Sequence, residues 1–233
     1  MEIESISKTA EAVKSASEFG TEAIKFVRVL TDEPTKELAG ILTDKLKFYR
    51  WKNQQKMLLK AAAFMEEKGL DVPSRYLPIK ELVPLLEYSS LEDDEYLQTL
   101  WAALLANSAD TETTNSNNLM FIEILKNLSK LEAQILMTVF SIPNCVNENG
   151  MIITSDLPNS ATMMSPLPNA RLEPGPSEEV KMALANLDRL GCIYIVETIG
   201  GDQRFETIKA RELGRQLVKA CTIIEMADSV ERS

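Results

Sequence analysis

From Pro34 onwards, apolar side chains return every three or four positions, the period that gathers them on one side of a helix. Leu38, Ile41, Leu42, Leu46, Tyr49, Met57, Leu58, Ala61, Ala62 and Met65 form such a face, which Gly69 ends after Lys68 has placed a cation in the last turn. A loop, "DVPSRYLP", leads to "IKELVPLLEYSS", a short helix expected to kink or begin afresh at Pro84. "SLEDDEYLQTLWAALLANSAD" then predicts a helix with Ser90 as N-cap, Asp93 three positions on, and a stripe of Leu97, Leu100, Trp101, Leu104 and Leu105. Its four acids, Glu92 to Glu95, sit about 100° apart around the axis, so they fan out instead of converging. Carboxylates in a first turn also suit the positive end of the helix dipole, which makes this cluster a helix start and not an acid/base or metal site. A polar connector, "DTETTNSNN", precedes another apolar helix, "LMFIEILKNL".

After Leu128 the texture changes. "SKLEAQILMTVF" opens with a capping box from Ser129 to Glu132, "MIITS" reads as a short strand, and Leu157 to Pro176 reads as an irregular proline- and asparagine-rich loop. "SEEVKMALANLDRLG" predicts a helix capped by Ser177 and stopped by Gly191. "CIYIVETIGGDQRFETI" predicts a β-hairpin turning around Gly200, Gly201 and Asp202, and "ARELGRQLVKACTII" a closing helix. The expected fold is therefore mainly α: a helical N-terminal region followed by a winged-helix-like α+β domain. The expected division is 1–32 for an N-terminal amphipathic helix, 33–128 for a helical domain, 129–224 for the winged-helix-like domain and 225–233 for a tail.

The first thirty residues carry Ile3, Ile6, Ala10, Val13, Ser17, Gly20, Ile24 and Val27 in 3-4 spacing, the seam of a short coiled coil. Ala10, Ser17 and Gly20 offer little area to bury, so this helix needs a partner. Ile3, Ile6, Ala10, Val13, Ile24 and Val27 are its candidate self-association residues.

Composition narrows the chemistry. The 233 residues contain no histidine, which removes the usual general base near neutral pH and the commonest zinc ligand. Cys145, Cys192 and Cys221 are odd in number and form no C-x-x-C pair, so neither a disulfide framework nor a zinc cluster is expected, and the reducing cytoplasm is the natural compartment. Neither G-x-x-x-x-G-K-[ST] nor G-x-G-x-x-G occurs, and no apolar run is long enough to span a membrane. No catalytic, cofactor or metal site is expected.

A net charge of −10 opposes non-specific attachment to nucleic acid or anionic lipid. One stretch runs against that average: "KLKFYRWKNQQK" sets Lys45, Lys47, Arg50, Lys52 and Lys56 among aromatics, a candidate partner or nucleic-acid surface, to which Arg204 in the predicted hairpin can be added. Aromatics at helical spacing more often belong to a core, with the basic stems lying over it. In the helix before the hairpin, Glu178, Glu179 and Asp188 stand against Lys181 and Arg189, which leaves it without the positive face of a DNA reader.

Several stretches taken together, "ILTDKLKFYRWKNQQKML", "FMEEKGL", "PLLEYSSLEDDEYLQTLWAALLANSAD", "FIEILKNLSKLEAQIL", "LDRLGCIYI" and "ELGRQLVKAC", resemble the abortive-infection alpha family over most of the chain after about Leu38. The resemblance implies a cytoplasmic bacterial protein associated with defence against bacteriophage, without family-wide catalytic residues to carry over. The expected function is a non-enzymatic sensor or adaptor acting through protein contacts and self-association. A winged-helix DNA-binding regulator is the alternative, and a peripheral membrane effector acting through the N-terminal helix is a third reading. For the last, the polar face holds both Lys and Glu, where an anionic-membrane binder carries a strongly basic one.

Overall fold

A computed structural model describes residues 48–70, 72–112, 118–146, 150–164, 175–198 and 200–223. The candidate seam from Ile3 to Val27, together with Lys45 and Lys47, lies outside the described residues. Seven helices and four strands occur among those described, so the protein is mainly α with a small antiparallel sheet. The chain divides into two compact units: one runs to Ile122 and resumes from Cys221, the other is Glu123–Ala220.

The first unit is built from α1 (Phe48–Glu67), α2 (Ile79–Ser89), α3 (Glu95–Ser108) and the start of α4 (Asn118–Leu125). Met57, Leu58, Ala61 and Met65 of α1 are buried, and α1 packs chiefly against α3. After Lys68, Gly69 takes φ +70°, with Gly69 N–H donating to Glu66 O and Leu70 N–H to Met65 O. This Schellman turn, which a glycine enters without a Cβ clash, is the stop anticipated from the sequence.

Pro84 does not break α2, which runs unbroken from Ile79 to Ser89. The carbonyl its missing N–H would have served belongs to Lys80, the exposed second residue of the helix, where water can serve instead. Leu82, Leu85, Leu86 and Ser89 bury one face and hold the helix together across the proline.

Ser90 is not the N-cap of α3. It ends α2, its hydroxyl donating to Glu87 O, and the cap is Asp94, whose Oδ1 accepts from Tyr96 N–H and Leu97 N–H at 2.9 and 3.2 Å. A carboxylate takes two orphan N–H groups and complements the dipole, so it displaces the hydroxyl four residues upstream. Nor is α3 amphipathic: besides the predicted stripe, Gln98, Ala102, Ala103, Ala106, Asn107 and Ser108 are buried, which makes it the central helix of its unit.

In the second unit, α5 (Lys130–Phe140) begins with the predicted capping box of Ser129 and Glu132. β1 (Ile152–Ile153) follows, then β2 (Thr162–Met163), α6 (Glu178–Arg189), β3 (Ile193–Glu197), β4 (Gln203–Ala210) and α7 (Glu212–Ala220). β2 falls inside the stretch read as an irregular loop; two residues are too few to show alternation, and only pairing with β1 makes them a strand. The sheet order is β2-β1-β4-β3, and one register row sets Ile152 opposite Ile208 and Ile208 opposite Ile195, all buried. The register shifts between Ile195 and Val196, where β4 carries extra residues. Beside them, Thr154 N–H donates to Glu206 O and Thr154 Oγ1 to Phe205 O. Cys145, Cys192 and Cys221 are buried, and none of the three is in a disulfide.

Candidate functional site

The basic stretch on α1 separates into structural and exposed parts. Arg50 reaches the end of α2, its Nε and Nη2 donating to Ser90 Oγ at 3.2 and 3.1 Å and Nη2 also to Glu87 O at 3.4 Å. Beside it, the buried Gln54 donates Nε2–H to Leu86 O. A cation set on the negative end of α2 reinforces the Glu87 carbonyl and the Ser90 hydroxyl, so Arg50 acts as an internal cap of that helix. Lys52 and Lys56, one turn apart, are exposed. Lys60, next in that row, turns inward to Thr99 Oγ1 and Glu95 O at 3.0 and 3.3 Å.

Three of the four acids have separate tasks. Glu92 Oε1 accepts from Asp94 N–H at 3.0 Å, Asp94 caps α3, Glu95 stands 3.6 Å from Lys60 Nζ and Asp93 is exposed. Partial burial pushes the Glu92 carboxyl up, with the Asp94 N–H pulling the other way and the neighbouring charges of Asp93 and Asp94 adding to the rise. Among the described residues no group of three or more Cys, Asp or Glu is placed to hold a metal ion.

A buried polar cluster lies where α3 ends. Lys68 Nζ donates to Asp110 Oδ2 and, at 3.1 Å, to Asn107 Oδ1, with the two charged side chains only 12% and 6% exposed. Asp110 Oδ1 also accepts from Glu112 N–H at 3.0 Å and Ser74 Oγ at 3.4 Å, while Asn107 Nδ2 donates to Thr222 O at 2.9 Å. Burial opposes ionisation of Asp110, yet the bonds from Lys68, Glu112 and Ser74 outweigh it and hold the carboxyl below its ordinary range. These groups face one another, so the cluster ties three chain segments together. The sequence signal that could have revealed it is the polar run Asn107, Ser108 and Asp110 ending a helix apolar on every side.

In the second unit, the exposed side of α6 carries Glu178, Glu179, Met182 and Arg189, with Met182 73% exposed. Most of the cations nearby already have partners. Lys181 Nζ is 2.7 Å from Glu178, Arg211 lies 5.1 Å over the Tyr194 ring and 3.9 Å from Asp188, and Arg215 pairs with Glu212. Bonds from Arg215 and Gln216 draw the exposed Glu212 carboxyl down to about 2. Arg204, the second residue of β4, is exposed near the hairpin turn. Burial pushes the Cys192 thiol up to about 12 and the Cys145 thiol in the same direction, which favours the protonated form of both.

This succession of caps, buried helix and C-terminal hairpin coincides with a known sequence family, whose model, described as abortive infection alpha, matches residues 52–224. The chain belongs to the abortive infection alpha family. No curated protein and no solved structure matches it. The abortive infection alpha match begins inside α1 and ends beyond α7, so it takes in the Lys68–Asp110 cluster, the acids ahead of α3 and the whole second unit. Membership ties the protein to abortive infection. Of the residues singled out in the sequence, Lys52, Lys56 and Arg204 fall within the match, while Arg50 and the Ile3 to Val27 seam precede it. No helix among the described residues is long and apolar enough to cross a membrane.

Proposed function

We propose that the protein is a non-enzymatic sensor or adaptor in bacterial abortive infection, working through protein contacts of its second unit. The observation that carries this reading is the outward side of α6, which offers a bare methionine between acids and a single arginine. The winged-helix interpretation rests on the order α5, β1, β2, α6, β3, β4, α7 and on β1 pairing with the second strand of the hairpin. In that architecture α6 is the element a DNA-binding relative would lay in the major groove. Glu178 and Glu179 at its leading end would meet phosphates, whereas an apolar centre suits a protein surface. Of the basic residues singled out in the sequence, Arg204, Lys52 and Lys56 are exposed among the described residues, few against a net charge of −10.

Fluorescence anisotropy against mixed duplexes at low salt tests the reading. The expected result is no saturable binding in the micromolar range. Binding that weakens steeply as salt rises would instead support the DNA-regulator alternative. Turnover of nucleotides or cleavage of nucleic acid by the purified protein would refute the non-enzymatic part. The N-terminal seam of Ile3, Ile6, Ala10, Val13, Ile24 and Val27 is proposed as a separate self-association element.

A further inference from the structure

The outward stripe of α6 has a second property: it is self-complementary. Glu178, Met182, Ala185 and Arg189 follow one another at intervals of four, three and four, which keeps them within about 60° of arc on a helix. They lie opposite Val180, Ala183, Leu184 and Leu187, the side buried in the unit's own core. A 4-3-4 spacing is that of alternating d and a positions in a two-helix seam. Reversing the helix about a point midway between Ala183 and Leu184 brings Met182 opposite Ala185 and Glu178 opposite Arg189. We propose that α6 pairs antiparallel with α6 of a second copy of this chain about that two-fold axis.

Each element of the pairing is favourable on physical grounds. The large Met182 meets the small Ala185 of the other copy twice at the centre, which lets the axes approach to about 8–10 Å. At either end the carboxylate of Glu178, 88% exposed, meets the guanidinium of Arg189, whose Nε and Nη2 now bond only a neutral acceptor, Asn186 Oδ1, at 3.0 and 2.7 Å. Of the flanking charges, Lys181 and Asp188 lie on one side of the stripe, and the reversal sets each against the other's counterpart. Within one chain they are held by Glu178 and Arg211, so this contribution requires exchange of partners. On the other flank Glu179 meets Asn186, whose amide already serves Glu132 Oε1 and Asn127 O, so that side is neutral. Antiparallel helices also align opposed dipoles. A duplex or an anionic membrane would be repelled by Glu178 and Glu179, whereas a second α6 answers every charge on the stripe. Three turns of helix cover less than the roughly 800 Å² per partner of a standard interface, so the pair is reversible, with micromolar or weaker affinity.

The inference rests on the protein-contact reading of the second unit but is tested separately from it, since duplex titration reports on that reading and mass on this one. Sedimentation equilibrium of the full chain over a wide concentration range should show a reversible, concentration-dependent doubling of mass. Arg189→Glu and Glu178→Lys should each weaken it about tenfold, because each reverses two symmetry-related contacts. The double variant Glu178→Lys/Arg189→Glu restores opposite charges across the axis and should return to within about threefold of the parent. Met182→Glu should abolish pairing. Residues 178 and 189 stand three turns apart within one helix, so a folding defect in the single variants, followed by circular dichroism, has no reason to be rescued by their combination. A parent protein whose mass stays constant at every concentration overturns the proposal. So does an assembly whose mass is the same in all four variants, or a double variant that fails to recover.

Discussion

Asp110 and Lys68 show how much one buried pair can demand of its surroundings. Each is nearly enclosed, and each is stabilised only because the other is there, along with Asn107, Ser74 and the Glu112 N–H. Asp110→Ala leaves an ammonium without its counter-ion, and the expected loss is about 3 kcal/mol in urea-induced unfolding. Combining it with Lys68→Met should recover part of that loss, because the stranded charge goes too. The same carboxylate gives the protein an acid limit. Its folded-state pKa lies below the ordinary 3.8, so folding holds the ionised form more tightly than the unfolded chain does. The contribution is complete above about pH 5 and disappears as pH falls through 3.8 to the lower folded value. Unfolding free energies measured from pH 6 to pH 3 should therefore fall less steeply in Asp110→Asn than in the parent.

Local signals placed the ends of the helices better than their interiors. Gly69, Gly191, Ser129 and Ser177 act where the chain itself predicts them, since a left-handed stop or a capping hydroxyl involves neighbours within five residues. Ser90 and Pro84 behave otherwise because their alternatives are settled by competition: Asp94 is the stronger cap, and the burial of Leu82, Leu85 and Leu86 holds α2 together across the proline. Packing of α7 on α5 rests on Gly214. A methyl group there would stand 2.4 Å from Cys192 O and 2.6 Å from Phe140 Cζ, both inside any permitted contact. Gly214→Ala should thus cost about 3 kcal/mol even though alanine is the better helix former, since overpacking against backbone cannot be relieved by a rotamer change. A thermal melt decides this, and an unchanged or raised midpoint would mean that α7 can shift freely.

At the scale of the molecule, association is the property on which the proposed role depends. Two separate means are proposed for it: the candidate seam in the first thirty residues and the stripe of α6. Deleting residues 1–30 should lower the mass found by light scattering, leaving the weaker α6 pair to show itself only as concentration rises. An unchanged mass would remove the seam from the account. What the chain alone determined was whatever depends on near neighbours or on plain inventory: helical periods, caps and stops, the hairpin, the lack of histidine and phosphate loops, and the likeness to abortive infection alpha. Tertiary structure decided the rest, because each remaining feature joins residues far apart in sequence. Arg50 became a cap only when α2 ended beside it, Asp110 a buried ion only when Lys68 came within reach, and Thr162–Met163 a strand only when β1 offered it hydrogen bonds. Burial and pairing across such distances leave no periodic trace along the chain, and so only the fold could assign them.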